Sequence, residues 1–209
     1  EFFGGSGYFA YGFIDPDQPE EIYANHVLWK IDWKNNQVRP ETTVWRKTQP
    51  DMMSAPGPEA YLGNAKIITA TNGRQYMWGY MVDEVVVLRR DGDLFKPFAA
   101  MLHRGLWQDA NNDQIVQPGE VADLKGVVQA KQGICWVNKD LSLLLSNGKI
   151  LRPQRVAENG QPIYDIAQAE ATPLVGKLGG GYVMPDPDGS LYNYDNRKGP
   201  SLIKWSSEG

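Results

Sequence analysis

One strand–turn–strand unit recurs along the chain at a nearly constant interval. It ends at a proline each time, and Pro40, Pro97 and Pro153 stand 57 and then 56 residues apart in the 209-residue sequence. Each unit joins an apolar run to a second short run through a turn rich in Asn, Asp or Gly, which is the pattern of a β-hairpin. A fixed period of this length predicts an array of similar units. The units are 27–40, 85–97 and 141–153, and 201–209 matches the first half of a fourth.

A second pair of short strands is expected upstream of each hairpin, as the second and fourth repeats show. Residues 66–71 and 74–80 flank an Asn72-Gly73 turn, and residues 181–184 and 190–194 flank another turn. Each repeat is therefore predicted to hold about four antiparallel strands, in an all-β fold. The composition agrees, because 22 Gly, 14 Pro and an aromatic content of 11% are typical of many short strands joined by turns.

The strand order and turn placement resemble the β-propeller superfamily, in the broad style of NHL-repeat or quinoprotein-type blades. The resemblance covers nearly the whole chain and implies four-stranded blades around a central axis. We expect residues 1–209 to be a single propeller domain or part of one, with about 3.5 to 4 blades of ~56 residues. A β-sandwich is the competing fold, but it need not repeat. The expected blades are 1–50, 60–104, 122–160 and 175–209, with an insertion at 105–121.

Residues 109–120, inside this insertion, resemble the calcium loop of an EF-hand. Calcium takes six to eight oxygen ligands, and alternate residues of a tight loop can point toward one ion while a distant Glu closes the far side. The resemblance implies a Ca²⁺ site. Its ligands would be Asp109, Asn111 and Asp113 at loop positions one, three and five, the Ile115 carbonyl at seven, Gln117 through water at nine, and Glu120 at twelve.

Loop position six departs from the EF-hand pattern, because Gln114 stands where that family has glycine. A non-glycine residue with positive φ costs on the order of 1 kcal/mol, so we expect modest affinity or a metal-free loop. The competing interpretation is an acidic surface turn. If the ion binds, we expect it to clamp an insertion that lacks its own core. A modest calcium site suits the calcium-rich exterior of cells, which favours a secreted or periplasmic protein.

Charge and composition exclude several other functions. The chain has 21 Lys plus Arg and 25 Asp plus Glu, a net charge of −4, so it lacks the basic surface of a nucleic-acid binder. No apolar stretch reaches the length of a membrane span. His26 and His103 stand apart, which argues against zinc, and Cys135 lies in an apolar strand and is expected to be buried. An acidic run is expected to be solvated surface, with a second cation site as the alternative: Asp15, Asp17, Glu20 and Glu21.

No catalytic constellation emerges from the sequence. We therefore expect a calcium-stabilised secreted propeller that binds a carbohydrate or protein ligand on one face or serves as a scaffold, within a longer chain or assembly. The alternative is a propeller enzyme, such as a polysaccharide lyase, a hydrolase or a quinone-dependent dehydrogenase, whose active site would lie on the central axis or in a part of the protein outside this sequence. An enzyme would need carboxylates, His or Arg on several first strands, and 66–69 and 181–184 are poor in them.

Overall fold

In the computed structural model, most of the described residues form short antiparallel strands. Four antiparallel sheets follow one another in a ring, which is the arrangement of a four-blade β-propeller and confirms the predicted fold class. Helix is limited to single 3-10 turns, at Pro118–Glu120 and Ile166–Gln168 in the described part. The described residues are 12–24, 27–43, 63–81, 84–103, 105–124, 126–128, 133–178, 183–186, 190–195 and 201–206.

The first two sheets each pair their strands in chain order. The first contains β1 (Phe13–Ile14), β2 (Glu21–Ala24), β3 (Val27–Asp32) and β4 (Gln37–Thr43). The second contains β5 (Gly63–Thr69), β6 (Gln75–Met81), β7 (Glu84–Asp91) and β8 (Leu94–Leu102), and is extended beyond β8 by β9 (Gly105–Gln108) and β10 (Val121–Ala122). A single parallel pair, Thr43 opposite Leu94, joins β4 to β8.

The third and fourth sheets are smaller. The third contains β11 (Ile134–Val137), β12 (Leu143–Leu145), β13 (Lys149–Leu151) and β16 (Glu170–Ala171). A separate hairpin of β14 (Pro153–Val156) and β15 (Pro162–Tyr164) stands between β13 and β16 in the chain. The fourth contains β17 (Val183–Pro185), β18 (Leu191–Asp195) and β19 (Ser201–Trp205).

The turn chemistry explains why the predicted hairpins form. Gly92 and Gly148 have φ angles of 61° and 84°, a left-handed conformation that glycine adopts without steric cost. At Gly148 a side chain would also collide with the backbone, since a Cβ there would lie 2.3 Å from the carbonyl oxygen of Leu174. Residues 187–189, which the sequence also places in a turn, and Gly209 lie outside the described residues.

The third predicted hairpin does not occupy the same place in its sheet as the first two. The pairs β3–β4 and β7–β8 are the third and fourth strands of their sheets, whereas β12–β13 are the second and third. The outer position of the third sheet is filled later in the chain by β16, after the β14–β15 hairpin. The even proline spacing therefore marks recurring hairpins, but it does not mark equivalent strands throughout.

Apolar clusters lie between consecutive sheets and hold the fold together. Tyr23 and Leu28 of the first sheet pack with Ile67 of the second. The opposite face of the second sheet, which includes Ile68, packs on Leu143 of the third sheet. Because successive strand residues point to opposite faces, β5 serves both interfaces. A smaller cluster joins the third sheet to the fourth: Cys135, Leu144, Leu174, Leu178 and Val183.

Candidate metal centre

The predicted calcium loop, residues 109–120, connects two paired strands. Trp107 of β9 lies opposite Val121 of β10, so the hairpin brings the two ends of the loop together. Strand β9 also pairs with β8, and the backbone N–H of Asp109 donates to the carbonyl of Phe98 at 2.9 Å. The loop therefore begins from a fixed edge of the second sheet.

Three of the predicted ligands converge. Carboxylate oxygens of Asp109, Asp113 and Glu120 all lie within 4.8 Å of one another. Asp109 is buried, with 1% of its surface exposed, whereas Asp113 is exposed and Glu120 is half-buried. Carboxylate oxygens at this separation form the kind of ligand set that a hard divalent cation prefers.

Backbone N–H groups wind the loop around these carboxylates. The two oxygens of Asp109 accept hydrogen bonds from the N–H groups of Asp113 and Gln114, both at 3.1 Å. Asp113 in turn accepts from the N–H of Ile115 at 2.8 Å. Burial, with a smaller contribution from the charge of Glu120, raises the pKa of Asp109, and these hydrogen bonds oppose the shift. The donors thus hold two of the three carboxylates in place.

Glu120 closes the loop onto its own start. Its two oxygens accept hydrogen bonds from the backbone N–H of Ala110 at 2.9 Å and from the indole Nε1 of Trp107 at 3.0 Å. Trp107 is fully buried, so the carboxylate at position twelve is tied to the protein core. Sequence reasoning did not assign this anchoring role to Trp107.

The two predicted amide ligands meet Asp113. The side-chain nitrogens of Asn111 and Gln117 donate to the Oδ2 atom of Asp113 at 2.8 and 2.7 Å. The Asn111 oxygen accepts from the Asp113 N–H at 3.0 Å. These amide donors offset part of the negative charge, and the Gln117 amide would have to rotate to present oxygen to a cation. Ile115, whose carbonyl is the remaining predicted ligand, is exposed.

Gln114 adopts the conformation that the EF-hand pattern reserves for glycine. Its φ angle is 63°, and that of Asn112 is 62°. The Gln114 amide donates to the Asn112 carbonyl at 2.8 Å, which ties the two left-handed residues together. The sharp turn therefore forms without glycine, at a cost on the order of 1 kcal/mol.

Residues distant in sequence anchor the loop on two sides. The buried guanidinium of Arg89, from β7, donates to the Asn112 side chain and to the carbonyl of Asn159. The buried amide of Gln161, at the start of β15, donates to the Asp109 carbonyl. These contacts connect the loop to the second sheet and to the β14–β15 hairpin. No local motif pointed to either anchor, since both contacts depend on how the hairpin packs.

The remaining candidates form no second metal site among the described residues. The prediction of solvated surface is wrong for Asp15 and Glu21, which are buried. Asp15 accepts a hydrogen bond from the Thr69 hydroxyl at 2.8 Å, and Glu21 accepts one from the Gln75 amide at 2.6 Å. Both carboxylates therefore connect the first sheet to the second.

The predictions for the single cysteine and the histidines have different outcomes. Cys135 is buried as predicted, and desolvation raises the pKa of its thiol to about 11, so it is a poor nucleophile at neutral pH. His103 lies in none of the possible metal-binding groups of the described residues. His26 lies outside the described residues.

Sequence reasoning did not identify Lys66 as a distinctive residue. It lies on β5, opposite Trp78, and is only 9% exposed. Its Nζ atom lies 4.9 Å from the ring centroid of Trp136 and 6.0 Å from that of Trp78. Burial lowers the pKa of Lys66 from 10.5 to about 8. A buried lysine in an otherwise apolar run gives no recognisable sequence signal.

Fold and site together define the class of this molecule: an all-β, four-blade propeller arrangement with an acidic loop whose carboxylates converge. Comparisons with protein-family models, curated proteins and solved structures found no match. Within the described residues, no helix has the length and apolar character needed to cross a membrane. The geometry of the loop is therefore the feature of the molecule from which its function is inferred.

Proposed function

We propose that residues 109–120 bind one Ca²⁺ ion and that the ion stabilises a propeller with a binding or scaffold role. The observation that carries this proposal is the convergence of Asp109, Asp113 and Glu120 within 4.8 Å, in a loop already wound by its own backbone N–H groups. Three converging carboxylates concentrate more negative charge than is needed to form a turn. A divalent cation would offset most of that charge.

A structural role for the ion is favoured by what the loop contacts. Arg89 and Gln161 join the loop to the second sheet and to the β14–β15 hairpin. An ion that fixes the loop would therefore strengthen the contact between these two parts of the ring. Binding to the native state alone stabilises it by about 2.7 kcal/mol when the ion concentration is a hundred times the dissociation constant.

We further propose that the ligand of the propeller is a carbohydrate or a protein and that the protein is secreted or periplasmic. A loop of modest calcium affinity would be filled at the calcium levels found outside cells. The exposed indole of Trp33, in the turn between β3 and β4, supports a carbohydrate ligand, because an exposed aromatic ring offers a flat apolar surface for a sugar.

Thermal unfolding with calcium and with EDTA tests the calcium proposal. We expect calcium to raise the wild-type melting temperature by roughly 5–10 °C, as a gain of about 2.7 kcal/mol implies for a chain of this size. Asp113→Ala should lose the response. Asp93→Ala removes an exposed carboxylate from the β7–β8 turn and should keep the response.

A second readout follows Glu120 directly. Its carboxylate accepts from the Trp107 indole, so calcium binding should change the tryptophan emission, and the change should be lost in Trp107→Phe. Superimposed melts and emission spectra with calcium and with EDTA would show that the loop is an acidic turn. Magnesium at the same concentration provides the selectivity control, because it demands a tighter octahedral site.

A further inference from the structure

Lys66 is a buried amine that lies beside indole rings from two different sheets. Its residue is only 9% exposed, and its Nζ atom lies 4.9 Å from the ring centroid of Trp136 on β11 and 6.0 Å from that of Trp78 on β6. Within the described residues, none of the hydrogen bonds or ion pairs includes Lys66. A buried polar group without such a partner is costly, so this cluster is a candidate site for a ligand.

Irregular strand pairing places both the amine and one of the indoles. The pairing of β5 with β6 shifts its register between Gly63 and Lys66. The pairing of β11 with β12 shifts between Ile134 and Trp136. Each shift therefore directly precedes one member of the cluster. Such bulges re-aim the side chains beside them and are enriched next to functional sites, so this geometry supports a ligand site independently of the charge of Lys66.

Burial distinguishes Lys66 from two other lysines that contact aromatic rings. The Nζ atom of Lys177 lies 5.3 Å from the ring centroid of Trp205, and that of Lys204 lies 5.2 Å from that of Tyr192. Both of these lysines are exposed. Burial lowers the pKa of Lys66 from 10.5 to about 8, because the charged form loses its water. Lys66 therefore supplies more of the neutral, nucleophilic amine at neutral pH.

We propose that Lys66 is a covalent site for a small aldehyde or ketone, which it binds as an imine beside the indoles of Trp78 and Trp136. The ammonium group first loses a proton to solvent. The neutral amine then attacks the carbonyl carbon, and a C–N bond forms. The carbonyl oxygen leaves as water with the two hydrogens of the amine, which gives a neutral C=N bond. The sequence uses no oxidant or reductant.

The surroundings of Lys66 favour this product because it removes a charge from a buried position. A neutral imine costs less to bury than an ammonium group without a polar partner. A bound anion would also offset the ammonium charge, but the anion would itself have to lose its water. A planar carbonyl compound adds a flat apolar surface for the two indole rings. Trp136 is only half-buried, so the cluster is not sealed from solvent.

Reductive trapping of the full chain with benzaldehyde and cyanoborohydride tests the proposal. Cyanoborohydride converts an imine to a stable amine, and peptide mass spectrometry locates the modified lysine. At pH 7 and limiting benzaldehyde, we expect Lys66 to be labelled at least ~10-fold faster than Lys177 or Lys204, because more of its amine is neutral. These two lysines are matched controls, since each contacts an aromatic ring but is exposed. Labelling of Lys66 at or below their rate would overturn the proposal.

Unfolding and substitution separate the site from general lysine reactivity. In urea the preference for Lys66 should disappear, and a preference that persists there would show that the fold does not create the site. Lys66→Met should remove the fast label and leave the rates of Lys177 and Lys204 unchanged, with circular dichroism as the check on folding.

A comparison of two aldehydes tests the role of the indole rings. Acetaldehyde should show a smaller preference for Lys66 than benzaldehyde does, because it has no ring to pack against Trp78 and Trp136. An equal preference for the two aldehydes would overturn the placement of the ligand beside the indoles.

Discussion

The acidic loop at residues 109–120 and the surroundings of Lys66 differ in how the fold accommodates charge. In the loop, three carboxylates lie within 4.8 Å of one another and are held by backbone and indole N–H groups. Lys66 is a single buried lysine whose Nζ atom lies near the rings of Trp136 and Trp78. None of the ion pairs among the described residues includes Lys66.

This difference decides what each region can do. Hydrogen bonds from N–H groups favour the ionised form of a carboxylate, so they oppose the rise in the pKa of Asp109 that burial causes. Indole rings attract an ammonium group only weakly compared with water, so burial lowers the pKa of Lys66 to about 8. The loop carboxylates therefore have hydrogen-bond donors in the fold, whereas Lys66 reduces the stability of the fold while it stays charged.

The largest expected effect comes from removing that charge. Lys66→Met should stabilise the protein at pH 7 by up to ~3 kcal/mol, because a pKa that falls from 10.5 to about 8 corresponds to a cost of that size for the charged form. Urea unfolding measures the change. Lys139→Met, which removes an exposed lysine paired with Asp17, should change the stability by less than about 0.5 kcal/mol.

The difference in unfolding free energy between the wild type and Lys66→Met should depend on pH, and this dependence tests whether the charge of Lys66 is its cause. The pKa of Lys66 is about 8 in the folded state and 10.5 when unperturbed, so the unfolded chain binds more protons between these values. The free-energy cost of burying the charged Lys66 side chain is fully present below pH 8 and is relieved as the pH rises toward 10.5. The stability of the wild type should therefore rise relative to that of Lys66→Met across that window. A difference that is constant from pH 7 to about 10 would show that Lys66 does not titrate there.

The next effect tests whether the loop carboxylates repel one another without an ion. In EDTA, Asp113→Asn should be neutral or stabilising by roughly 0.5–1 kcal/mol, because it removes one of three like charges. With calcium the same change should destabilise, since a charged ligand is lost. An effect of the same sign in both solutions would indicate a polar turn with no metal role. Glu158→Gln, at an exposed position outside the loop, serves as the control.

The features that could be predicted from the sequence are local ones. The Gly92 and Gly148 turns depend on adjacent residues, and the ligand pattern of the loop is contained within twelve positions. The strand position of β12–β13 was predicted incorrectly because β16 joins the same sheet from further along the chain.

The rest of the site depends on contacts between distant segments. Arg89 reaches Asn159 across the boundary between the second sheet and the β14–β15 hairpin, and Gln161 reaches Asp109. Lys66 is unusual only because Trp136 of the third sheet packs against it. Periodicity and turn chemistry describe one segment at a time, so none of these contacts could be read from the sequence.

The smallest expected effect separates the shape of the loop from its charge. Gln114 is left-handed, with a φ angle of 63°. Gln114→Gly should relieve a backbone strain of about 1 kcal/mol. Part of this gain in stability should be cancelled, because glycine has greater conformational freedom in the unfolded chain. The net gain should be about 0.5 kcal/mol, as measured by urea unfolding in EDTA. Hydrogen bonds of the loop itself hold the Gln114 turn, so we expect the strain to be the same before and after binding and calorimetry to find the calcium affinity of Gln114→Gly unchanged. A marked gain in affinity would mean instead that the loop reaches this conformation only when calcium binds, and that the glycine of the EF-hand pattern serves binding more than folding.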